Sequence, residues 1–403
     1  MDLKKRRVEV VLQIMWESSL AKHVDEYFCS VNVWREGDLF PRKISDLVMY
    51  GQEGEEIEVN SSEIKSMISY EKRKVYECKN WQFKPPKSLS YLKLKKGRFY
   101  LLGFFKGLPG IFEGNPFPGR ILDIDSSGNF VLDANHPLAL FEVKAKAKLL
   151  KISKKDSEVG GRCKNFWEAS LNGPGMQARY KNNPTDFELD NPKSFSRLDE
   201  NEDTIFYHEP RLIGHIDRTC HHNLIRFYEN KIPKSGKVLD LMSSFESHLP
   251  EGDYEVYGLG INMRELEANS RLHHRVVHDL NADPTLPFES DYFDVVVCDL
   301  SIEYVVRPLE LLKEVKRILK PGGKIFFSFS NRYFPTKVIK VWIDLHEFER
   351  MGYVLELLAR TEELDELETY SLRGYPRPVE DRWSFASNFS DPLYVVYGKK
   401  SDQ

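Results

Sequence analysis

Val8, Val10, Leu12 and Ile14 alternate with Glu9, Val11 and Gln13, the two-residue period of a strand with one face buried. The same rhythm predicts strands at Ile57 and Val59, over 120–125 and over 130–133, with Ser126-Ser127-Gly128-Asn129 as the turn between the last two. Residues 141–152 (FEVKAKAKLLKI) alternate strictly and close this strand-rich part. From 153 to about 203 the pattern dissolves. Gly160-Gly161, Asn172-Gly173-Pro174-Gly175, Asn182-Asn183-Pro184 and Asn191-Pro192 place breakers at short intervals, as in a linker or an irregular docking segment. Beyond 204, apolar strands over 237–241, 255–259, 293–299, 324–330 and 393–397 alternate with helix-length stretches such as 307–319. That alternation predicts βαβ units and a mainly parallel sheet. No internal repeat or low-complexity tract interrupts it.

Composition narrows the class. With 403 residues the chain has length for two or three domains, and 12% aromatic residues exclude disorder as its dominant state. No run approaches the roughly 18 apolar residues of a membrane span. The basic start Lys4-Lys5-Arg6-Arg7 followed by an apolar stretch mimics a signal peptide, but Glu9 and Gln13 interrupt it and it reads as a first strand. Five widely spaced cysteines (Cys29, Cys78, Cys163, Cys220, Cys298) contain no CxxC, so a reduced, cytoplasmic protein is expected. Residues 1–155 hold 27 basic and 20 acidic side chains, the remainder 31 and 42, which suggests two separate modules. Neither is basic enough to call for a nucleic-acid partner.

The back half has the more ordered set of motifs. Val238-Leu239-Asp240-Leu241 is an apolar strand ending in an acid, followed by Met242-Ser243-Ser244 and a predicted short helix. Gly258 closes a second strand, Asp279-Leu280 follow a third, and Phe293-Asp294-Val295-Val296-Val297-Cys298 form a fourth. Residues 314–325 (EVKRILKPGGKI) then give a helix, a Pro-Gly-Gly turn and a strand. In this order, over about 204–400, the pieces resemble the class I S-adenosylmethionine-dependent methyltransferases. The resemblance implies a Rossmann-like α/β fold with S-adenosyl-L-methionine as cofactor. It would place Asp240 and Met242 at the methionine end, Gly258, Gly260 and Asn262 by the ribose, Asp279 and Leu280 by the adenine, and Asp299 at the end of the fourth strand. Two positions depart from the family. Met242-Ser243-Ser244 replaces a glycine-rich loop, and Gly260 stands where an acid holds the ribose hydroxyls, leaving Asn262 to offer its amide instead.

Ahead of the sheet, Arg211 and His215 lie four apart in a stretch that also carries Tyr207 and Asp217. If Pro210 starts a helix they share a face, which brings a fixed cation and a titratable base over the cofactor. The alternative is an ordinary capped helix with Asp217 in a local ion pair. His221-His222 and His273-His274 are adjacent pairs whose rings point apart, with no third ligand at metal spacing and no HExxH. No metal is expected.

In the front half, Val24-Asp25-Glu26 and 39–55 (LFPRKISDLVMYGQEGE) resemble an FKBP-type peptidyl-prolyl isomerase. Phe117-Pro118-Gly119-Arg120-Ile121 and the run Asp133-Ala134-Asn135-His136-Pro137-Leu138-Ala139 resemble its SlyD-like branch, which carries an inserted chaperone flap. The resemblance covers about 5–152, with the flap at about 66–135. It implies a curved antiparallel sheet wrapped on a short helix, with Asp25, Phe40, Ile44 and Phe141 lining a pocket that would desolvate a proline amide. Leu12 and Lys43 replace the family's pocket tyrosine and helix glycine. The flap interleaves basic residues with Tyr76, Trp81, Phe83, Tyr91, Phe99 and Tyr100. These would hold unfolded or proline-containing polypeptide, or simply form the flap's own core.

The sequence thus predicts a multi-domain chain. An FKBP-like α+β domain with a flap spans 1–152, a linker 153–203, and a methyltransferase-like α/β domain 204–403. Its methyl acceptor is unassigned and no membrane partner is expected. The competing reading is a non-catalytic polypeptide-binding protein with degenerate sites.

Overall fold

In the computed structural model, which describes residues 5–33, 42–59, 61–155 and 166–402, the first alternating run becomes β1 (Arg6–Glu17). Its Val8, Val10, Leu12, Ile14 and Trp16 all face the core. β2 (Lys22–Asn32), β3 (Glu56–Val59) and β8 (Val143–Lys154) join it in an antiparallel sheet ordered β2-β1-β8-β3. Helix α1 (Arg42–Tyr50) sets Ile44, Leu47 and Val48 into the same core. Each such fully buried aliphatic side chain contributes about 1.5–3 kcal/mol.

Between α2 (Ser61–Ile68) and β8 the chain builds a separate sheet. β4 (Val75–Cys78), β5 (Phe99–Leu101), β6 (Pro118–Ile124) and β7 (Phe130–Asp133) run in the order β4-β7-β6-β5. Tyr100, Leu102, Phe105, Ile121, Phe130 and Leu132 form its own core.

Met1–Phe187 and Asp344–Gly352 form one compact unit, and Glu188–Ile343 with Tyr353–Gln403 a second. After β8 and α3 (Phe166–Leu171), the breaker-rich stretch stays in the first unit as far as Phe187, burying Leu171, Met176 and Ala178, and its remainder from Glu188 belongs to the second. Arg120 donates to the carbonyls of Gly175 and Ala178 at 3.2 and 2.9 Å. Gly175 holds φ +96°, and a Cβ there would meet the Pro137 carbonyl carbon at 2.6 Å, so only glycine fits. From 344–352 comes Glu349, which accepts the Phe99 N–H at 2.8 Å and lies 3.4 Å from Arg98 Nε, both side chains almost wholly buried.

The second unit is a seven-stranded sheet. Its strands are β9 (Ser235–Leu241), β10 (Asp253–Gly260), β11 (His274–Val277), β12 (Phe293–Asp299), β13 (Leu319–Phe329), β14 (Leu364–Arg373) and β15 (Leu393–Lys400). The order is β11-β10-β9-β12-β13-β15-β14, parallel from β11 to β13, with β15 antiparallel to both its neighbours. Counted from β9 this is 3-2-1-4-5-7-6, a doubly wound Rossmann-like sheet with its seventh strand reversed. Helices α4 (Asp203–Phe206) and α5 (Arg218–Glu229) precede β9, α6 (Met263–Ala268) lies between β10 and β11, and α7 (Pro308–Ile318) between β12 and β13. No helix among the described residues is long and apolar enough to cross a membrane.

Three local expectations fail for identifiable reasons. Pro210 starts no helix, and 208–216 contain none. The helix begins at Arg218 because the Asp217 carboxylate caps it, accepting the Cys220 N–H at 3.0 Å. No helix follows Met242, since the hydroxyls of Ser243 and Ser247 turn back to Asp240. Pro321-Gly322-Gly323 lie within β13 at a register slip instead of preceding it, with Gly322 at φ +76°. β14 escaped the pattern because Asp365, Glu366 and Glu368 break its alternation.

Two histidines of the first unit are buried neutral. His23 stacks on Trp16 at 3.8 Å, with Nε2 2.8 Å from Ser18 Oγ, and burial pushes its pKa down to about 3. Burial likewise takes His136 down to about 4, partly opposed by its contact with the Leu171 carbonyl. Both fall below the unfolded value of roughly 6.5, so the unfolded chain binds these protons first. Their stabilisation is present above about pH 6.5 and is lost as pH falls toward 4 and 3. Urea denaturation between pH 7 and 4 should show that decline, and His23→Gln should make its slope shallower. An unchanged slope would mean that His23 is protonated in the native state.

Candidate functional site

In an open α/β sheet, ligands bind outside the carboxyl ends of the strands where strand order reverses. Here the reversal lies between β9 and β12, whose last residues bring Asp240 and Asp299 together. Asp240 Oδ2 accepts the Ser243 hydroxyl at 2.8 Å and that of Ser247. Burial, then the charge of Asp299, push Asp240 up to about 6. Asp299 Oδ1 accepts Tyr228 Oη at 2.6 Å and Ser328 Oγ at 2.5 Å, while Oδ2 faces His248 Nδ1 at 3.2 Å. Burial works to lower the His248 pKa, but the hydrogen bond and charge of Asp299 outweigh it and the net shift is upward.

The loop after β9 replaces glycine chemistry with strain. Met242 sits at φ +59°, a conformation usual for glycine. Ser243 N–H donates to the Leu259 carbonyl at 2.8 Å, and a Cβ on Gly260 would lie 2.3 Å from the Ser243 oxygen. Gly260 is therefore required by the loop's close approach. A Cβ on Gly258 would meet the Leu272 side chain at 2.4 Å. Asn262 caps α6, accepting from Arg264 and Glu265 N–H, and its amide donates to the carbonyls of Tyr207 and His208 at 2.7 and 3.0 Å. The side chain assigned to the ribose is thus engaged by this chain's own backbone.

Arg211 and His215 do meet, across Phe334 instead of along a helix. The guanidinium lies 5.1 Å from that ring and 4.2 Å from Phe206, and His215 packs edge-on to Phe334 at 5.7 Å. Burial lowers His215 to about 4, so it is neutral near pH 7. Arg211 Nη2 donates to the Phe206 carbonyl, but Nη1 is buried without a hydrogen-bond partner. Glu265 ties this segment to the first loop, accepting Arg211 N–H at 2.7 Å and Ser244 Oγ at 2.7 Å.

Asp279 lines a cavity of about 600 Å³ with Asn281, Arg197, Asp203 and Val306. Its Oδ1 accepts the N–H groups of Asn281 and Ala282, leaving Oδ2 without a partner among the described residues. Leu280 is buried. The volume suits a nucleoside-sized ligand.

His221 of α5 approaches the first loop as well. One donor atom each from His221, Glu246 and His248 lies within 4.8 Å of the others. Sequence reasoning tested the histidine pairs for neighbours along the chain and missed this convergence, which needs the fold.

Of the residues assigned to an isomerase pocket, Asp25 and Phe141 converge on Trp16. Trp16 Nε1 donates to Asp25 Oδ2 at 2.9 Å, and the rings of Trp16 and Phe141 lie 4.8 Å apart. Gln177 Nε2 also reaches Asp25 Oδ2 at 3.5 Å, and Asp25 is buried. Ile44 lies within the core, and Phe40 falls outside the described residues.

Residues 240–327 match the sequence model of a methyltransferase domain. A demethylmenaquinone methyltransferase of Clavibacter sepedonicus is 28% identical over 147 residues, 36% of this chain and 57% of that protein. A ubiquinone biosynthesis O-methyltransferase of Vibrio parahaemolyticus is 27% identical over 27% of this chain and 50% of that protein. A malonyl-[acyl-carrier protein] O-methyltransferase of a Marinomonas species is 32% identical, over 33% and 47%. The chain spans about half the length of these relatives. A solved S-adenosylmethionine-dependent methyltransferase from Mesorhizobium loti aligns at 17% identity and a TM-score of 0.30, over 43% of this chain and 96% of that one. The second unit thus contains a stretch similar to methyltransferase domains, and S-adenosylmethionine is the cofactor that this similarity implies. Its residues fit that cofactor at two points, the unpaired buried Arg211 Nη1 and the Asp279 cavity.

The loop approach gives a direct prediction. Gly260→Ala must displace the Ser243 backbone, so it should cost roughly 1–3 kcal/mol of stability and weaken S-adenosylmethionine binding at least tenfold. Calorimetry and thermal denaturation check both, and unchanged binding would mean that the loop does not shape the site.

Proposed function

We propose that this chain transfers a methyl group from S-adenosylmethionine to an acceptor bound beside Arg211, Phe206, Tyr207 and Phe334. The observation that carries the reading is the reversal of strand order, whose two acids fall inside the matched stretch 240–327. When bound, the cofactor supplies a methyl group activated on a sulfonium. Asp279 Oδ2 is suited to accept from the adenine amino group, and Arg211 Nη1 to pair with the methionine carboxylate. Glu265 holds the Arg211 backbone against the first loop. The aromatic wall excludes water and orients the acceptor, which is most of what in-line transfer demands. His215, neutral near pH 7, is the group able to take a proton there. By name the relatives act on demethylmenaquinone, in ubiquinone biosynthesis and on a malonyl carrier protein. With relatives so divided, the acceptor of this chain is set by that wall, whose residues 206, 207, 211 and 334 all lie outside the matched stretch.

Calorimetry of the whole chain with S-adenosylmethionine tests the reading. Asp279→Ala should raise Kd by about 5- to 150-fold, the equivalent of roughly 1–3 kcal/mol for one buried hydrogen bond. No heat at high micromolar ligand would overturn it.

A second activity is proposed for the first unit: an FKBP-type, SlyD-like module that holds unfolded or proline-containing polypeptide. Trp81, Tyr91, Phe112 and Phe117 of the inserted segment are each at least half exposed, which favours a client surface. Gln177 lying on Asp25 favours weak isomerisation. Trp81→Ser with Phe112→Ser should reduce suppression of aggregation of a denatured client severalfold while leaving the fold intact. Equal protection by the double variant would remove the client site from this surface.

A further inference from the structure

We propose that His221, Glu246 and His248 form a binding site for a divalent transition-metal ion, with one coordination position left open. His221 lies in the first turn of α5, and Glu246 and His248 stand two apart in the loop after β9. Their donor atoms fall within 4.8 Å of one another, His221 Nδ1 being 3.7 Å from Glu246 Oε2. The two imidazole rings are 5.0 Å apart. Metal–nitrogen and metal–oxygen bonds of about 2.0–2.2 Å need donors somewhat closer than this, and Glu246, the exposed member, is free to swing inward.

Three further features fit a metal better than an idle cluster. His221 Nδ1 is buried and makes no hydrogen bond, so a lone pair or a proton is left without a partner. His248 is held through Nδ1 by Asp299, the carboxylate–histidine arrangement that fixes a ring and raises the basicity of its other nitrogen. Asp299 is itself anchored by Tyr228 and Ser328, so the histidine is positioned by a rigid strand end. Burial is graded from His248 through His221 to Glu246, which gives an ion an entry path from solvent.

Two imidazoles and one carboxylate select zinc, or iron(II), cobalt(II) and nickel(II), over magnesium or calcium, which prefer all-oxygen sites. Three protein ligands leave a position for water or an oxygen of a small molecule. The inference does not depend on methyl transfer, because none of the three ligands is assigned to the cofactor; only Asp299, which positions His248, is shared with the strand-end acids.

The test is competition for Zn²⁺ between the full chain and a chromophoric chelator, with Co²⁺ absorption as a second readout. One equivalent of zinc should bind with a Kd at or below micromolar. His221→Ala and Glu246→Ala should each raise Kd at least tenfold, and the visible d–d bands of the cobalt-loaded protein should be lost in both. His274→Ala, on β11 and paired with Glu255, should change neither. Glu246 is exposed, so its variant keeps the test decisive if His221→Ala folds poorly. Zinc bound equally well by both variants, or no zinc bound at 100 µM free ion, would overturn the proposal.

Discussion

The second unit depends on one close approach, the Ser243 backbone lying against the Cα of Gly260. The Ser243 N–H bond to Leu259 pins the loop to β10 two residues beyond the end of β9. From that point the chain has little freedom. Met242 must accept a left-handed backbone, Ser243 and Ser247 can reach Asp240, and Glu246 and His248 are carried toward α5 and β12. Where the resemblance calls for glycines, the loop is fixed by serines and one strained methionine. The polar groups it buries are consequently satisfied by side chains where a ligand's atoms would otherwise serve.

This changes how the two strand-end acids act. Asp240 is surrounded by hydroxyls and held near half-protonation around pH 6, whereas Asp299 is committed to a tyrosine, a serine and a histidine. One is a soft acceptor and the other a structural anchor. The unpaired groups that could receive a ligand lie elsewhere, at Arg211 and Asp279.

Much of the architecture was legible because period-two burial writes itself into sequence. β1 shows it at every inward position from Val8 to Trp16, and the parallel strands β9 and β12 read as apolar runs ending in acids. Helix starts were less legible. Asp217, not Pro210, sets α5, because the capping carboxylate also receives Asp391 N–H and Ser390 Oγ from 174 and 173 residues away, contacts no local pattern encodes. The resemblance puts Asn262, two positions after the end of β10, by the ribose, yet its amide serves the backbone at Tyr207 and His208. The convergence of His221 with Glu246 and His248 was illegible for the same reason: a helix and a loop must fold before the three are neighbours.

The first unit is discontinuous, and that has a consequence for its synthesis. Arg98 is buried against Glu349, a residue made about 250 positions later, and Phe99 N–H waits for the same carboxylate. At roughly 5–20 residues per second, the ribosome takes on the order of 10–50 s to supply it. For that interval Arg98 has no carboxylate partner and the nascent first unit lacks its last segment, although its sheet β2-β1-β8-β3 is complete in sequence by Lys154. The order of assembly is thus not the order of the sequence: the front of the chain is finished only when most of the back, though not yet β14 and β15, has been made.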